Sequence, residues 1–488
     1  MKLWTNGHFY TMYHEIDKKY QVLTHKGKIV ACDDDVYQFD IDETIDLDGA
    51  FVFPGFNDNH MHLIGYGKSL FNLNVHLNSS KQYVLEQIKK HFNHDIFRVV
   101  GYLDVGITKD DLDLISKDHI IILRHNDFHS FTVNSYALNQ LGITHDTGIM
   151  IELEAQPFEK IWAQETDQDL RLKTKKGIEE LHKYGITHIV TDDLSYYHSY
   201  IDTLKIINDV TLEHPLRANL LVHHAVLDDY LSDDYRLNRL NPYLSFGWVK
   251  VFYDGTLSSK TAYLKDTYRN ENHHGYSMGQ TNFEEILIKA RHAKLGIAVH
   301  TIGDQALEKV VMSLKKYPPQ KGYYDRIIHA SLANQNIIDQ MMGMPIILDI
   351  QSQFISSDLP RVLDVFNKVP MIYPLKSYVD AKIITVGSSD APIEIPNPLL
   401  GIYISESRMI QKMVYQPNER LSRFESIKLY TKDGIIDPMV KRGHIDVGFL
   451  ADFTIFSDDL MTCSLDKIKS LDVMMTVIDE IIVYQKEN

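Results

Sequence analysis

Eight short apolar runs, separated by stretches with helical spacing, constrain the fold of this chain more than any other feature. They occupy residues 50–53, 187–190, 217–222, 248–253, 296–299, 326–328, 345–350 and 383–386. Several begin about thirty residues apart, the length of one strand, one helix and two loops. Runs of this kind belong to a parallel sheet covered by helices, and eight βα units close a (β/α)8 barrel. An open doubly wound sheet would carry a glycine-rich phosphate loop after its first strand. Here that position carries histidines instead, so the expected fold class is α/β with a TIM-like barrel.

The spacing breaks once. More than 130 residues separate the first run from the second, so an α/β insertion over about residues 65–165 is expected to leave the barrel after its first strand. It has strand-like stretches at 97–101 and 120–124 and a helical stretch near 84–91, which makes it too structured for a loop. Loops after barrel strands lie on the catalytic face, and the insertion is expected to cover that face. Both ends of the chain read differently, as short β-branched and aromatic strands with turns. Residues 1–52 and 441–488 are therefore expected to form one small β-sandwich, with the barrel over 53–440.

Composition narrows the function. With 50 Lys and Arg against 66 Asp and Glu the net charge is −16, which argues against a nucleic-acid partner or a polybasic membrane clamp. Cys32 and Cys463 stand alone at opposite ends, so no disulfide framework is expected. No stretch reads as a signal peptide or reaches about 18 apolar residues, and a cytoplasmic location is expected. Histidine is plentiful, 24 of 488 residues, and its special uses are proton transfer and metal binding.

The ends of the runs carry the chemistry, because barrel active sites are built at the C-terminal ends of strands. The first run leads into Pro54-Gly55-Phe56-Asn57-Asp58-Asn59-His60-Met61-His62. On an extended strand His60 and His62 point to one face, so both imidazoles can reach one ion. Lys250 and Asp254 mark the fourth run, His300 and Asp304 the fifth, His329 the sixth and Asp390 the eighth. A lone His-x-His is a weak signal, and a histidine ending a strand is commonly a hydrogen-bonded core residue. Five strand ends carrying imidazole, amine or carboxylate together point to metal catalysis. The donor set suits zinc, although iron, manganese, nickel and cobalt would also accept it. Asp254 and Asp304 are candidates to orient Lys250 and His300 or to contact substrate, against the plain reading of a turn or helix cap. Arg124 and His129, in the insertion, are candidates to bind a substrate carboxylate or polarise a carbonyl. His223 ends the third run and is read as hydrogen-bonded structure.

Taken in order, these motifs resemble the amidohydrolase superfamily and, within it, the YtcJ-like branch of metal-dependent hydrolases that contains N-substituted formamide deformylase. Beyond the segment ending at His62, the resemblance runs through Arg124, Asp127-Phe128-His129-Ser130 and Val133-Asn134-Ser135. It continues through Gly148 to Glu152, Gly185-Ile186-Thr187, Lys250 to Gly255 with Lys260-Thr261-Ala262, and His300 to Asp304. It ends with Gly387 to Pro392 and Gly448-Phe449-Leu450-Ala451-Asp452-Phe453. Phe128 stands where the branch usually has glycine, and Asn57-Asp58-Asn59 is more polar than usual.

The resemblance implies a barrel with a terminal β-sandwich and a centre of one or two divalent metal ions. It implies that His60 and His62 hold the more buried ion, that His300 and His329 hold the more exposed one, and that Asp390 binds metal and takes a proton from water. Lys250 falls where the superfamily often carries a carboxylated lysine as a bridge. A neighbouring acid, with Glu152 the candidate, could take that place, leaving Lys250 to orient substrate.

The expected reaction is hydrolysis of an amide-like C–N bond in an N-acyl or N-formyl small molecule by metal-activated water. The alternatives are a deaminase or cyclic amidase with the same centre, and a catalytically silent barrel that binds a metabolite. A silent descendant would be free to lose a ligand, and here all five of His60, His62, His300, His329 and Asp390 are present. A homodimer is the default assembly on symmetry grounds.

Overall fold

The computed structural model describes residues 1–75, 79–92, 96–125, 130–163, 165–233, 240–359, 363–410, 412–431 and 440–487. Eight parallel strands form one sheet. We number them β1 (Phe56–Met61), β2 (Ile186–Thr191), β3 (Arg217–His223), β4 (Leu244–Phe252), β5 (Gly296–Thr301), β6 (Asp325–His329), β7 (Ile346–Ile350) and β8 (Ile384–Gly387). Each pairs with its neighbours in sequence order. The gap between β8 and β1 is bridged by bonds just past the ladder: Asp390 N donates to the His60 carbonyl and His62 N to the Ala391 carbonyl, both at 2.8 Å. The nearly closed ring is a TIM-like barrel, as expected from the eight runs.

The helices follow from local sequence. Asp304–Lys316 places Ala306, Leu307, Val310, Val311 and Leu314 on one buried stripe, the i, i+3, i+4 pattern of a helix lying on a sheet. Lys315 and Lys316 in its last turn complement the negative end of its dipole. Tyr200–Glu213 starts at Ser199, whose side chain accepts a hydrogen bond from Asp202 N, satisfying one of the amides that a helix start leaves open.

One expectation about the barrel is corrected. The apolar run at 50–53 is not a barrel strand; Phe51–Pro54 pairs with His8–Tyr10 and Phe453–Phe456 in a six-stranded sheet. The first barrel strand is the next segment, Phe56–Met61, every residue of which is buried. Its polarity hid it from a search for apolar runs. Asn59 Nδ2 donates to the Gly387 carbonyl at 3.1 Å, Asn57 Nδ2 donates to the Thr431 carbonyl at 3.4 Å, and Asp58 accepts from Ser389 N at 3.0 Å. Buried polar groups are tolerated where partners of this kind satisfy them.

The terminal strands form two sheets. One joins Lys28–Cys32, Val22–His25, Lys2–Thr5 and Glu43–Asp46. The six-stranded sheet mixes both chain ends and includes Val473–Ile478 and Ile481–Gln485. The stretch from 473 to 484, continuous in apolar character, is a hairpin turning at Asp479 and Glu480, with φ of 57° and 61°. Two positive φ values are the signature of the tight turn whose twist matches its strands. Trp4, Phe9, Val52, Phe453 and Val477 share the core between these sheets.

Residues Met1–Gly65 with Ile178–Asn488 make one compact unit and Tyr66–Gly177 a second. The second has its own five-stranded sheet, parallel from Leu73–Asn74 through Ile96–Tyr102 to Ile120–His125 and antiparallel through Ser130–Val133 to Ile149–Ile151. It also has its own cores, including Val99, Ile121 and Leu123 on one side and Ile122, Phe131 and Val133 on the other. Among the described residues no helix is long and apolar enough to cross a membrane.

Candidate metal centre

Strand pleat and the αL conformation together bring six side chains to one end of the barrel. His60 lies inside β1 and His62 one residue beyond it, two apart and therefore on the same face. Their Nε2 atoms lie 3.3 and 3.6 Å from Asp390 Oδ1. One ligand atom from each of these three residues lies within 4.8 Å of the others, a spacing that one ion can span. Lys250, inside β4, places Nζ 3.2 Å from His60 Nε2. The His329 ring, at the end of β6, lies 4.5 Å from that of His300 and 6.1 Å from that of His60.

Two of these residues hold uncommon backbone conformations. His329 has φ 74° and Asp390 φ 58°, each costing about 1–3 kcal/mol for a residue with a β-carbon. Neighbouring contacts enforce them. Tyr378 donates its hydroxyl to the Ala330 carbonyl at 2.8 Å. Ser389, just before Asp390, is held through both its amide and its hydroxyl by the Asp58 carboxylate.

The protonation states suit a set of donors. Burial, reinforced by Lys250, pushes the His60 imidazolium pKa down to about 3 and that of His300 to about 4. Burial and then His300 drive His329 well below its ordinary value. These rings are neutral at pH 7 and carry a lone pair. Burial would raise Asp390, but hydrogen bonds with His60 and His62 hold its carboxyl well below the ordinary range. His62 differs, because Asp390 and Asp192 outweigh its burial and raise it.

Hydrogen bonds aim the rings. His62 Nδ1 lies 2.6 Å from the Asp192 carbonyl and His329 Nδ1 2.7 Å from Gln351 Oε1. Each acceptor fixes the proton on Nδ1 and leaves Nε2 as the free donor atom, the arrangement that metal-binding histidines use. Among the described residues, buried His60 Nδ1 and Asp192 Oδ1 have no hydrogen-bond partner. Three neutral imidazoles, an ionised carboxylate and this unsatisfied acid oxygen fit a divalent cation.

Asp192 is the residue that the strand-end reading missed. It directly follows β2, is fully buried, and places Oδ2 3.7 Å from Lys250 Nζ. Tyr196 donates its hydroxyl to the same oxygen at 2.7 Å. The signal was present in the paired acids Asp192-Asp193 that follow the second run.

Other candidates fall elsewhere. Asp254 accepts from the amides of Ile302, Gly303 and Tyr263 at 3.0, 2.8 and 2.9 Å. Its carboxylate ties two loops together and lies 4.0 Å from His300 Nε2. Burial, partly offset by those amides, lifts its pKa to about 7. Asp304 is the first residue of its helix and accepts from Lys265 N and Gln305 N, which clamps the adjoining loop. His300 Nε2 also lies 3.1 Å from the Gly255 carbonyl.

Arg124 lies in the second unit, bonded to Glu159 at 3.1 Å and packed over Phe131 and Trp162. His129 falls outside the described residues, and the Glu152 side chain is likewise not described. His223 uses Nδ1 to accept from Ala225 N at 3.1 Å, the structural role expected for it.

Comparisons with known proteins place the whole chain in a family. Residues 43–484 match the model of the family described as "Amidohydrolase family". The chain is 33% identical over 543 aligned positions to "Putative amidohydrolase YtcJ" of Bacillus subtilis (strain 168), covering 99% of each chain. It is 25% identical over 467 positions to "Protein LONG AFTER FAR-RED 3" of Arabidopsis thaliana, covering 85% of this chain and 79% of that protein. Its fold is similar to the crystal structure of an uncharacterized metal-dependent hydrolase from Pyrococcus horikoshii, with a TM-score of 0.81 at 23% identity over 95% of this chain and 99% of the other. It is also similar to atrazine chlorohydrolase TrzN from Arthrobacter aurescens TC1 complexed with zinc, with a TM-score of 0.62 at 13% identity over 99% and 95%.

Proposed function

This chain belongs to the amidohydrolase family, and from that premise we propose that it is a metal-dependent hydrolase of an amide-like C–N bond in an N-acyl or N-formyl small molecule. The observation that carries the reading is the convergence of His60 Nε2, His62 Nε2 and one Asp390 oxygen within reach of a single ion. These three would hold one divalent cation, and His300 and His329 would hold a second. Zinc is the first choice for imidazole with carboxylate. A cation bound there supplies Lewis acidity toward the scissile carbonyl and lowers the pKa of water.

The chain's own residues do the rest. Asp390, ionised and partly open to solvent, accepts the proton of the attacking water and delivers it to the leaving nitrogen. His62 and His329 are held in register by the Asp192 carbonyl and Gln351. Lys250, fully buried, would be a carboxylated ligand if two ions bind and a substrate-orienting ammonium if one does. Asp192, placed beside it, would balance the charge of that ammonium.

The test is elemental analysis by plasma mass spectrometry on protein purified without chelator, beside a His60→Ala/His62→Ala double variant, followed by turnover of N-acyl and N-formyl amides. Two equivalents of transition metal, lost in the variant, support the bridged centre. One equivalent makes Lys250 a substrate contact. No bound metal after supplementation, with no turnover, overturns the reading in favour of a barrel that binds without catalysis.

A further inference from the structure

The compact unit Tyr66–Gly177 carries a groove that the hydrolase reading does not use. It holds about 500 Å³, runs along Leu73–Asn74 at the edge of the five-stranded sheet, and is lined by residues of that unit. Phe71, Leu73, Phe92 and Phe97 make it apolar. Phe97 is buried and the other three are half-buried, so their rings and methyls still meet solvent. The Phe92 and Phe97 rings stand 5.5 Å apart in a tilted pair, which fixes that part of the surface. A concave volume between about 300 and 1,000 Å³ with aromatic lining suits a small molecule.

The charge of the groove has one sign. Its titratable lining residues are Lys90, His91 and Lys176, and none of the described lining residues is acidic. Lys90 and His91 close the Lys81–His91 helix, and Lys176 belongs to Asp167–Lys183. One turn earlier on that second helix, and so on a neighbouring position, Lys173 places Nζ 5.8 Å from the centre of the Phe71 ring. Lys173 also bonds Glu165, which Lys68 and Arg98 approach to 3.4 and 3.8 Å. Asp169 is the other acid acting on Arg98 and Lys173, so among the described residues three cations meet two carboxylates. Burial lowers the Lys68 ammonium pKa, and Lys173 and Arg98 add to that fall against the pull of Glu165. A chain with a net charge of −16 repels small anions over most of its surface. Beside this groove the sign is reversed.

We propose that the groove is a second ligand site, built by residues 66–177 alone, and that its ligand is an apolar carboxylate with an aliphatic or aryl body of about six to ten carbons. The body displaces water from Phe71, Leu73, Phe92 and Phe97, and the carboxylate pairs with Lys90 and Lys176. A neutral head leaves the field of those ammonium groups unmatched and a cationic head is repelled by it. A short acid lacks the apolar area to cover the rings.

The experiment is equilibrium dialysis of the full-length protein against radiolabelled octanoate, with butyrate, octanol and octylamine as competitors. Wild-type protein should hold one equivalent of octanoate at this site. Affinity should rise about two- to fourfold per methylene from butyrate to octanoate. Octanoate should exceed octanol by about tenfold, the worth of two partly exposed ion pairs, and salt at about 0.5 M should narrow that gap. Lys90→Gln/Lys176→Gln should lose the equivalent with melting temperature and metal content unchanged. Lys315→Gln/Lys321→Gln, the same charge change at exposed lysines outside the unit, should keep it.

Equal binding of octanoate and octanol by wild-type protein overturns the proposal. So does an octanoate equivalent that survives Lys90→Gln/Lys176→Gln and disappears in His60→Ala/His62→Ala, because that carboxylate sits on the candidate metal centre. The site needs neither metal nor turnover, so octanoate retained by a protein that binds no metal and cleaves no amide sinks the hydrolase reading and leaves the groove standing.

Discussion

Asp390 and Asp192 divide the negative charge of the candidate centre, and their contacts predict different losses. Asp390 faces the two imidazoles and is partly open, so Asp390→Asn is expected to keep the fold and lower kcat by about 10²- to 10⁴-fold; circular dichroism and steady-state kinetics check both halves. Asp192 is fully buried beside Lys250, so Asp192→Asn leaves a buried ammonium with less compensation. A stability loss of about 3 kcal/mol is expected in metal-free protein. The double variant Asp192→Asn/Lys250→Met should recover part of it, and strictly additive urea midpoints for the two changes would show that the pair is not coupled. Sequence alone marked Lys250 and Asp390. It passed over Asp192 because a pair of acids after a strand resembles any solvated turn until the sheet closes around it.

Among elements, β6 and β7 are joined inside the barrel by Arg326 and Asp349, both buried, with Arg326 Nε donating at 2.9 Å and a second guanidinium nitrogen closing the fork. The guanidinium also lies over the Trp248 ring and reaches the Asn59 carbonyl, so one side chain links four strands. Asp349→Asn is expected to cost about 3–5 kcal/mol by leaving that cation unpaired, read as a fall in the urea midpoint with m unchanged. Local signals gave strand positions within a few residues for β2 to β8, since apolar runs and helical stripes are set by neighbours in sequence. They failed for β1, whose asparagines and aspartate are buried only because β8 and the last helix of the barrel supply partners. They also failed to separate structure from recognition in Val133-Asn134-Ser135, where Asn134 caps a helix by accepting from Ala137 N and donates to the carbonyls of Ser116 and His119.

At the scale of the whole molecule, the terminal sheets are tied to the barrel by Arg217, at the start of β3, which grips Asp452 at 2.6 and 3.0 Å and Asp479 at 3.1 Å. His182 works nearby, with Nε2 2.9 Å from the Pro215 carbonyl and its own carbonyl accepting from Thr476. Burial, partly opposed by that carbonyl contact, lowers its pKa to about 4, against about 6.5 for an unfolded histidine. The unfolded chain then binds the extra proton first, so this contribution to stability is complete above about pH 6.5 and is lost as pH falls toward 4. Melting temperatures of His182→Gln should fall less steeply than wild type between pH 7 and 4.5; parallel slopes would remove His182 from the account. The sequence by itself determined the barrel, the β-rich ends and the histidines, lysine and aspartate that meet at its rim, because strand period, helix period and motif order are properties of near neighbours along the chain. Tertiary structure decided which polar strand closes the ring and which acid stands beside Lys250. Those relations join residues up to some hundreds of positions apart, and only the closure of the sheet brings them within the few ångströms over which charges and rings act.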